Sequence, residues 1–466
     1  MRKLFMLVAA LFAVPVVLTA ADQVKYVFLF IGDGMSLPQR TIADEYSRIT
    51  TGKSLLMNQL PVQGCTTTRA ATQLITDSAA SGTAIACGTK TAIGALGVDV
   101  NGKPRESIAE TAKQRGKKVG ILSSVELNHA TPAAFYAHNP SRSDCYNISL
   151  DMLKSGFDFF GGGILMDVDG KKAKESKGNI LELARKQGYT VTETIEGFSR
   201  LDKLPAIVIS PRLQEEAIPY AIDQKPGDMT LADLTAKAIG LLDNPDGFFI
   251  MIEGGKIDWV GHANDVGTSV RETMDLDKAI SVAFDFAQKH PDDTLIVVTG
   301  DHETGGLTVG FSGTGYQSYL EVLKHQKISV VEFNGIFGKL RDDKTKTFDD
   351  LKPMLTEYFG LKFEGDPKTD RMVLSPDEIA ALQEAFKRSR KEGSYSAVEN
   401  QSVLYGGYDP FSVTLIHLMA NKAGVAWTSF AHTALPVVTS AAGKHAADFS
   451  GMTDNTDIAN KIRPLL

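Results

Sequence analysis

Residues 24–35 read VKYVFLFIGDGM, an apolar run that stops abruptly at Gly-Asp-Gly. A continuous run of β-branched and aromatic residues is typical of a strand buried on both faces in the centre of a parallel sheet. Three other runs end in the same abrupt way, at residues 119–122, 248–252 and 294–298. These four runs predict the core strands of an α/β protein.

Helical patterns alternate with these strands, at residues 106–114, 180–186, 231–242 and 270–288. The alternation predicts a doubly wound, mostly parallel central sheet with helices on both faces. Residues 312–422 are more charged and less regular, with one clear helical pattern at 377–390. We therefore expect an inserted subdomain there, before a strand pattern returns at 425–429.

The first 21 residues have the three parts of a signal peptide: Arg2 and Lys3, an apolar stretch over 4–18, and small residues at 19–21. We expect cleavage after this segment, leaving 22–466 as one secreted or periplasmic catalytic domain. An uncleaved anchor is the alternative. The apolar stretch is short for a membrane span, and no later run reaches about 18 apolar residues.

Charge and cysteine content narrow the function classes. The 466-residue chain carries 49 basic and 56 acidic residues, and an acidic protein disfavours nucleic acid as a specific partner. An anionic substrate would then need bound metals or a well-placed arginine. Cys65, Cys87 and Cys145 show no CxxC spacing, so one disulfide with a leftover thiol and three free thiols both stay open.

Carboxylates follow three of the four predicted strands. Asp33, Glu253 and Asp301 stand at these strand ends. In a doubly wound sheet, ligands collect beyond the carboxyl ends of the strands. The three carboxylates are therefore predicted to share one edge, where their mutual repulsion calls for cations.

Histidines accompany these acids. Asp258 and His262 are four residues apart, which in a helical turn places both side chains on one face. His302 follows Asp301 directly, and His432 follows the last strand pattern. Carboxylate and imidazole are ligands that suit Zn²⁺, and two divalent ions about 4 Å apart would suit phosphoryl transfer.

Residues 77–83, DSAASGT, read as the start of a helix. The simple interpretation makes Asp77 or Ser78 an N-cap. In the functional one, Ser78 is a nucleophile at a helix N-terminus, which favours an anion. The predicted acids and histidines favour Ser78 as both cap and nucleophile.

Arg142 could hold phosphate oxygens with its planar fork, although it is one arginine among many.

Six motifs occur in an order that resembles the alkaline phosphatase family over nearly all of the mature sequence. They are IGDGM (31–35), TDSAASGTA (76–84), GALGVD (94–99), ATPAA (130–134), EGGKID (253–258) and TGDHETGG (299–306). The resemblance implies that phosphate monoesters are hydrolysed with broad specificity and an alkaline optimum, through a phosphoserine on Ser78. It also implies that Arg142 clamps the phosphate, that Asp77 orients Arg142, and that the protein is a homodimer.

The resemblance further implies two zinc ions and one Mg²⁺. The first zinc site would comprise Asp258, His262 and His432. The second, nearest Ser78, would comprise Asp33, Asp301 and His302. The Mg²⁺ site would comprise Asp33, Thr131 and Glu253. His129 is a further candidate ligand there, and Ser78 is a further candidate ligand of the second zinc. His445 lies outside the family pattern and is expected not to be a ligand.

Two positions depart from the enterobacterial members of the family. His129 stands where they have Asp, so the third site is expected to bind Mg²⁺ more weakly or to accept zinc. Trp259 stands where they have Lys, which removes a cation beside the substrate phosphate.

We therefore expect product phosphate to leave this chain faster, since less positive charge holds it. A Trp259→Lys variant should be inhibited more strongly by inorganic phosphate in steady-state assays. Unchanged inhibition would contradict this interpretation of Trp259.

Two other functions remain as alternative hypotheses. A phosphodiesterase, sulfatase or phosphoglycerate mutase of the same superfamily would use a Thr, a modified Cys or a differently placed Ser as nucleophile. A phosphate- or zinc-binding protein without catalysis would not form a phosphoserine on Ser78.

Overall fold

A computed structural model describes residues 23–391 and 401–466. The predicted signal peptide lies outside the described residues. The strands of the described residues are β1 Tyr26–Gly32, β2 Val62–Thr67, β3 Lys118–Glu126, β4 Phe159–Gly163, β5 Thr190–Thr192, β6 Ala206–Ile209, β7 Phe248–Gly254, β8 Thr294–Gly300, β9 Glu303–Thr304, β10 Thr308–Val309, β11 Val425–Ala426, β12 His432–Thr433, β13 Val437–Gly443 and β14 Gly451–Asp454.

Helices precede, connect and follow these strands. They are α1 Leu37–Thr51, α2 Ser78–Cys87, α3 Ile108–Gln114, α4 Ala130–Ala133, α5 Cys145–Lys154, α6 Ile180–Lys186, α7 Ile195–Arg200, α8 Leu231–Leu242, α9 Lys256–His262, α10 Val266–Ala287, α11 Val330–Asp342, α12 Lys352–Phe359, α13 Pro376–Ser389, α14 Gln401–Tyr405, α15 Pro410–Ala423 and α16 Thr456–Ile462.

Ten strands form the central sheet, in the order β14-β2-β13-β8-β1-β7-β3-β4-β6-β5. The seven from β8 to β5 run parallel to one another, and β13 runs antiparallel to both of its neighbours. The strand predicted from 24–35 is β1, and it lies between β7 and β8. This confirms the mostly parallel α/β sheet.

The register of these three strands positions the acidic edge. Gly32 at the end of β1 is level with Gly254 of β7 and Gly300 of β8. Because the strands are parallel, the chain leaves all three at the same edge of the sheet. Asp33 and Asp301 follow directly from the ends of their strands.

Each face of the sheet is covered by its own hydrophobic core. Phe28 and Phe30 point into one core, which includes buried residues of α1, α8 and α10. Leu29 and Ile31 point into the other core, which includes residues of α2, α3, α5 and α16. Successive residues of β1 therefore serve opposite faces, as the period of a strand requires. The doubly wound arrangement is confirmed.

Helices α11–α15 belong to the segment expected to be an insertion. Within the described part of that segment, Phe333, Phe337 and Phe411 pack together, with ring centroids 4.7–6.2 Å apart. The three rings belong to the same core as Phe28 and Phe30 of the sheet. The segment thus packs on one face of the sheet, and its role as a separate subdomain stays a prediction.

Most element bounds follow the sequence patterns. Helices α6 and α8 have the expected limits, whereas α10 begins four residues early because Asp265 caps it and accepts a hydrogen bond from Thr268 N. The strand expected at 425–429 is shorter, since β11 ends at Ala426. No helix among residues 23–391 and 401–466 is long and apolar enough to cross a membrane.

The three cysteines are unpaired in the structure. Cys87 is buried, and Cys65 and Cys145 are half-buried. Burial raises the pKa of the Cys87 thiol well above its ordinary value, which makes it a poor nucleophile. Of the two alternatives left open by the sequence, the structure therefore has three free thiols rather than one disulfide and one thiol.

Candidate active site

Helix α9 and the β12 strand bring together one carboxylate and two imidazoles. Asp258 and His262 lie one turn apart in α9, with His262 Nε2 3.5 Å from Asp258 Oδ1. His432 pairs with Thr304 across the short β9–β12 ladder, which brings His432 Nε2 to 3.3 Å from the same oxygen. The two Nε2 atoms are 3.1 Å apart. Such separations suit three ligand atoms around one cation.

Both imidazoles of this first cluster are oriented by backbone carbonyls. His262 Nδ1 lies 2.7 Å from the carbonyl oxygen of Phe430, and His432 Nδ1 lies 2.9 Å from that of Thr76. A carbonyl accepts a hydrogen bond, so each Nδ1 carries the proton. Each Nε2 then presents its lone pair toward Asp258, as metal-binding histidines generally do.

A second cluster surrounds His302. Its Nε2 atom lies 3.2 Å from Asp33 Oδ1, 3.3 Å from Asp301 Oδ2 and 3.3 Å from the hydroxyl oxygen of Ser78. Asp301 Oδ1 is held by the amides of Gly34 and His302, so Oδ2 is the oxygen left for a ligand. The nucleophile predicted from the sequence is therefore next to the second predicted metal site.

The N-cap of α2 is Asp77, and Ser78 is the first residue of the helix. Asp77 Oδ1 accepts a hydrogen bond from Ala80 N at 2.9 Å. The expectation that Ser78 is itself the cap is therefore wrong, because a neighbouring carboxylate satisfies that amide. The hydroxyl of Ser78 is left to face His302.

Arg142 lies between Asp77 and His129. Its Nη1 donates to Asp77 Oδ2 at 3.2 Å, and its Nη2 lies 3.1 Å from His129 Nε2. Asp77 Oδ2 also accepts from Gly94 N. Asp77 thus links the start of α2 to the guanidinium, which fits the predicted orienting role.

A third cluster lies on the other side of Asp33. Thr131 donates to Asp33 Oδ2 at 3.2 Å, while Oδ1 faces the second cluster. Atoms of Asp33, His129 and Glu253 lie within 4.8 Å of one another. Ser123 holds Glu253 Oε2 through a short hydrogen bond. Asp33 is therefore placed to bridge two cations.

His129 cannot easily be both a ligand and a partner of Arg142. A neutral imidazole has one acceptor nitrogen, and an arginine can only donate. If Nε2 accepts from Arg142, then Nδ1 carries the proton and cannot bind a metal. Burial and the charge of Arg142 lower the pKa of His129 to about 4, so the ring is neutral at ordinary pH.

Buried carboxylates in the cluster lie close enough together to raise the pKa values of two of them. Burial and the charge of Asp33 raise the pKa of Glu253 and of Asp301 well above the ordinary range. Burial lowers the pKa of His302, but the neighbouring carboxylates of Asp33, Asp258 and Asp77 together outweigh burial, and the net shift is upward. Burial raises the pKa of Asp258, but His432 and His262 more than compensate and the net shift is downward.

Several buried oxygens in the cluster have no hydrogen-bond partner, namely Asp33 Oδ1, Glu253 Oε1 and Asp301 Oδ2. Orphaned buried carboxylate oxygens are costly unless a cation neutralises them. The donor set also fits: imidazole and carboxylate in the first two clusters, and mainly oxygen in the third. The residues present are suited to hold divalent metals.

Two residues that hold the candidate ligands in place, Thr304 and Glu303, were not predicted from the sequence. Thr304 donates a short hydrogen bond to Asp258 Oδ1 and lies 3.3 Å from His302 Nδ1. Buried Glu303 accepts from Gln39 and Thr433, which ties β9 to β12 beside His432. The motif TGDHETGG contains Glu303 and Thr304, so their position next to Asp301 and His302 was the available signal.

The other two predicted positions lie at the margins. Trp259 projects from α9, and its ring meets that of His129 edge-on with centroids 6.2 Å apart. His445 pairs with Asp448 and belongs to none of the three ligand groups. The structure thus brings together all of the predicted site residues, and His445 is in none of the three clusters.

The fold and this site define an α/β enzyme with a serine beside clustered metal-type ligands. The alkaline phosphatase family model matches residues 24–466. The chain is 30% identical to alkaline phosphatase 4 of Bacillus subtilis (strain 168), covering 95% of this chain and 89% of that protein. The chain belongs to the alkaline phosphatase family, whose members hydrolyse phosphate monoesters.

Solved structures agree with this assignment. A cold-active alkaline phosphatase from the psychrophile Shewanella sp. has a TM-score of 0.78 and 29% identity, covering 95% of this chain and 99% of that one. A variant of the enzyme from the Antarctic bacterium TAB5 has a TM-score of 0.65 and 25% identity, covering 95% and 98%. In that variant a histidine is replaced by aspartate, and Mg is bound in its M3 site.

Proposed function

We propose that this chain hydrolyses phosphate monoesters through a phosphoserine on Ser78, with two zinc ions and one Mg²⁺. The observation that supports this most is the position of the Ser78 hydroxyl, 3.3 Å from His302 Nε2 at the start of α2. The first two clusters would hold zinc through Asp258, His262, His432, Asp33, Asp301 and His302. The third would hold Mg²⁺ through Asp33, Thr131 and Glu253.

Ser78 and α2 supply the nucleophile. The partial positive charge at the start of the helix favours the ionised hydroxyl and, later, the phosphoryl group attached to it. Arg142 can hold two phosphate oxygens as a fork, and Asp77 fixes its position. Bound metals would act as Lewis acids on the phosphate and neutralise the carboxylates.

The reaction has two displacements at phosphorus. In the first, the Ser78 oxygen gives up its proton and forms a bond to phosphorus, while the bond to the ester oxygen breaks and that oxygen takes up a proton as the alcohol leaves. In the second, a water oxygen gives up a proton and attacks the phosphoserine. The bond to Ser78 then breaks, the Ser78 oxygen takes up a proton, and inorganic phosphate is released. Arg142 stays on the phosphate throughout, so recognition depends on the phosphate more than on the alcohol.

An alkaline optimum follows from the same residues. Ser78 is a stronger nucleophile when ionised, and its ionised fraction grows as pH rises. Protons also compete with metals for the imidazoles, so metal binding weakens as pH falls. Activity should therefore fall as pH falls, together with metal content.

The third site gives a prediction about His129. In a His129→Asp variant a carboxylate replaces an imidazole that is engaged with Arg142. Because Mg²⁺ prefers oxygen ligands, its affinity should rise by about tenfold or more. Equilibrium dialysis with elemental analysis measures this, with His325→Asp as the matched substitution away from the site. Unchanged Mg²⁺ affinity would contradict the placement of the third site.

Substrate class is tested by relative rates. We expect the purified chain to hydrolyse a phosphate monoester at least about 100-fold faster, in kcat/KM, than the matching diester or sulfate ester. A preference for the diester or the sulfate would favour the related superfamily activities. No turnover of any ester by a fully metal-loaded chain would favour a binding protein.

Location and assembly are further parts of this proposal. Residues 1–21 support export to the periplasm or the medium, because they combine a basic start, an apolar stretch and small residues. Resemblance to the family supports a homodimer. Small phosphomonoesters are the proposed partners in solution.

A further inference from the structure

A cavity of about 430 Å³ opens beside the site, between α9, the residues before Tyr220 and the start of α11. His262 lines this cavity and belongs to the first cluster, while Trp259 lines the cavity and meets the ring of His129 edge-on. A monoester with its phosphate at Ser78 and Arg142 has its alcohol portion outside the metal cluster. Since the cavity shares His262 with the first cluster, it is the adjoining space for that portion.

The cavity has one carboxylate and three aromatic side chains in its lining, those of Glu215, Tyr220, Trp259 and Tyr408. The other lining residues are His262, Asn334 and four aliphatic residues, and none is a lysine or arginine. Tyr408 is 40% exposed, so its ring is accessible. Aromatic faces beside a carboxylate are the arrangement that binds organic cations.

Glu215 is held in place at the rim of the cavity. Its Oε2 accepts a hydrogen bond from the hydroxyl of buried Tyr220 at 2.8 Å. Glu215 is an exposed residue, and its backbone has φ of 52°. The hydroxyl of Tyr220 thus holds the carboxylate of Glu215 in position.

Lys256 lies nearby but does not place its positive charge in the cavity. Lys256 is buried, and its Nζ contacts the carbonyl oxygen of Ile218 and lies 3.7 Å from the centroid of the Tyr220 ring. That ring face is therefore occupied, and Lys256 does not line the cavity. Trp259 and Tyr408 remain as the aromatic surfaces available to a ligand.

We propose that this cavity binds the alcohol portion of phosphomonoesters that carry an amine or quaternary ammonium group, such as phosphorylated amino alcohols. This proposal rests on the proposed monoesterase function and deepens it. The ammonium would contact Trp259 and Tyr408 while Glu215 provides the counter-charge. Phosphate and ammonium ends are then recognised by oppositely charged parts of one continuous site.

The test compares phosphocholine with 3,3-dimethylbutyl phosphate, which has the same shape without the positive charge. We expect the holoenzyme to prefer phosphocholine about tenfold in kcat/KM. Glu215→Gln keeps an oxygen for Tyr220 and removes the charge, and Tyr408→Leu removes the ring. Each should reduce the preference to about twofold or less, with turnover of methyl phosphate unchanged.

Two matched variants serve as controls. Glu216→Gln removes a neighbouring exposed carboxylate that does not line the cavity, and Tyr408→Phe keeps the aromatic face. Both should retain the preference for phosphocholine. Equal kcat/KM for the two substrates in the unmodified enzyme would overturn the inference, as would loss of preference in Glu216→Gln equal to that in Glu215→Gln.

A binding measurement separates this inference from the proposed function. Saturation-transfer NMR with choline should show contact with the unmodified chain and lose it in Glu215→Gln. If no monoester is hydrolysed but choline binds in this way, the proposed function fails and the cavity assignment stands. If monoesters are hydrolysed but choline shows no contact, the cavity assignment fails alone.

Discussion

Replacing Ser78 with alanine should lower kcat for phosphate monoesters by at least about 10³-fold. The Ser78 hydroxyl lies 3.3 Å from His302 Nε2 at the start of α2 and is buried among the candidate ligands. Alanine removes the oxygen that would bond to phosphorus but leaves the ligands and Arg142 intact. Metal content and thermal stability should therefore stay close to those of the unmodified chain.

Ser81→Ala provides the matched control for this variant. Ser81 lies one turn further along α2, and its hydroxyl donates to the carbonyl oxygen of Asp301. Its loss should reduce kcat by less than about tenfold, since it supports the scaffold without facing the substrate. Comparable losses in the two variants would mean that Ser78 is only structural.

Replacing Asp258 with asparagine has the second largest expected effect. Asp258 Oδ1 is the one oxygen that both His262 Nε2 and His432 Nε2 approach, at 3.5 and 3.3 Å. An amide oxygen is a weaker, uncharged ligand, so zinc affinity of the first site should fall at least about 100-fold. Activity should fall with it and recover partly in excess zinc.

Elemental analysis after dialysis measures the bound zinc in Asp258→Asn. Asp285→Asn is the control, because it removes the same charge from an exposed position on α10. It should keep full zinc content and activity. Full zinc occupancy in dialysed Asp258→Asn would contradict the assignment of the first site.

The sequence predicted the fold well because its strongest signals are local. The apolar runs of β1, β7 and β8 can only be central strands, and their common direction places Asp33 and Asp301 at one edge. Helices α6 and α8 likewise match their patterns. Strand β13 was not predicted, and its antiparallel direction depends on contacts between residues far apart in the chain.

The candidate site was predicted in composition but not in its supporting contacts. The spacing of Asp258 and His262 indicates one helical face by itself. By contrast, the contact of Arg142 with His129 joins residues on separate loops, and no periodicity encodes it. The sequence also did not decide between Asp77 and Ser78 as the cap of α2, because both are good capping residues.

Covalent trapping of phosphate on Ser78 tests the central claim most directly. At acidic pH, where the second displacement slows, incubation with radiolabelled phosphate should leave label on the peptide that contains Ser78. The label should be absent from Ser78→Ala and from the chelator-treated chain. Absence of label from the active, metal-loaded enzyme, or its presence in Ser78→Ala, would contradict a mechanism through this serine.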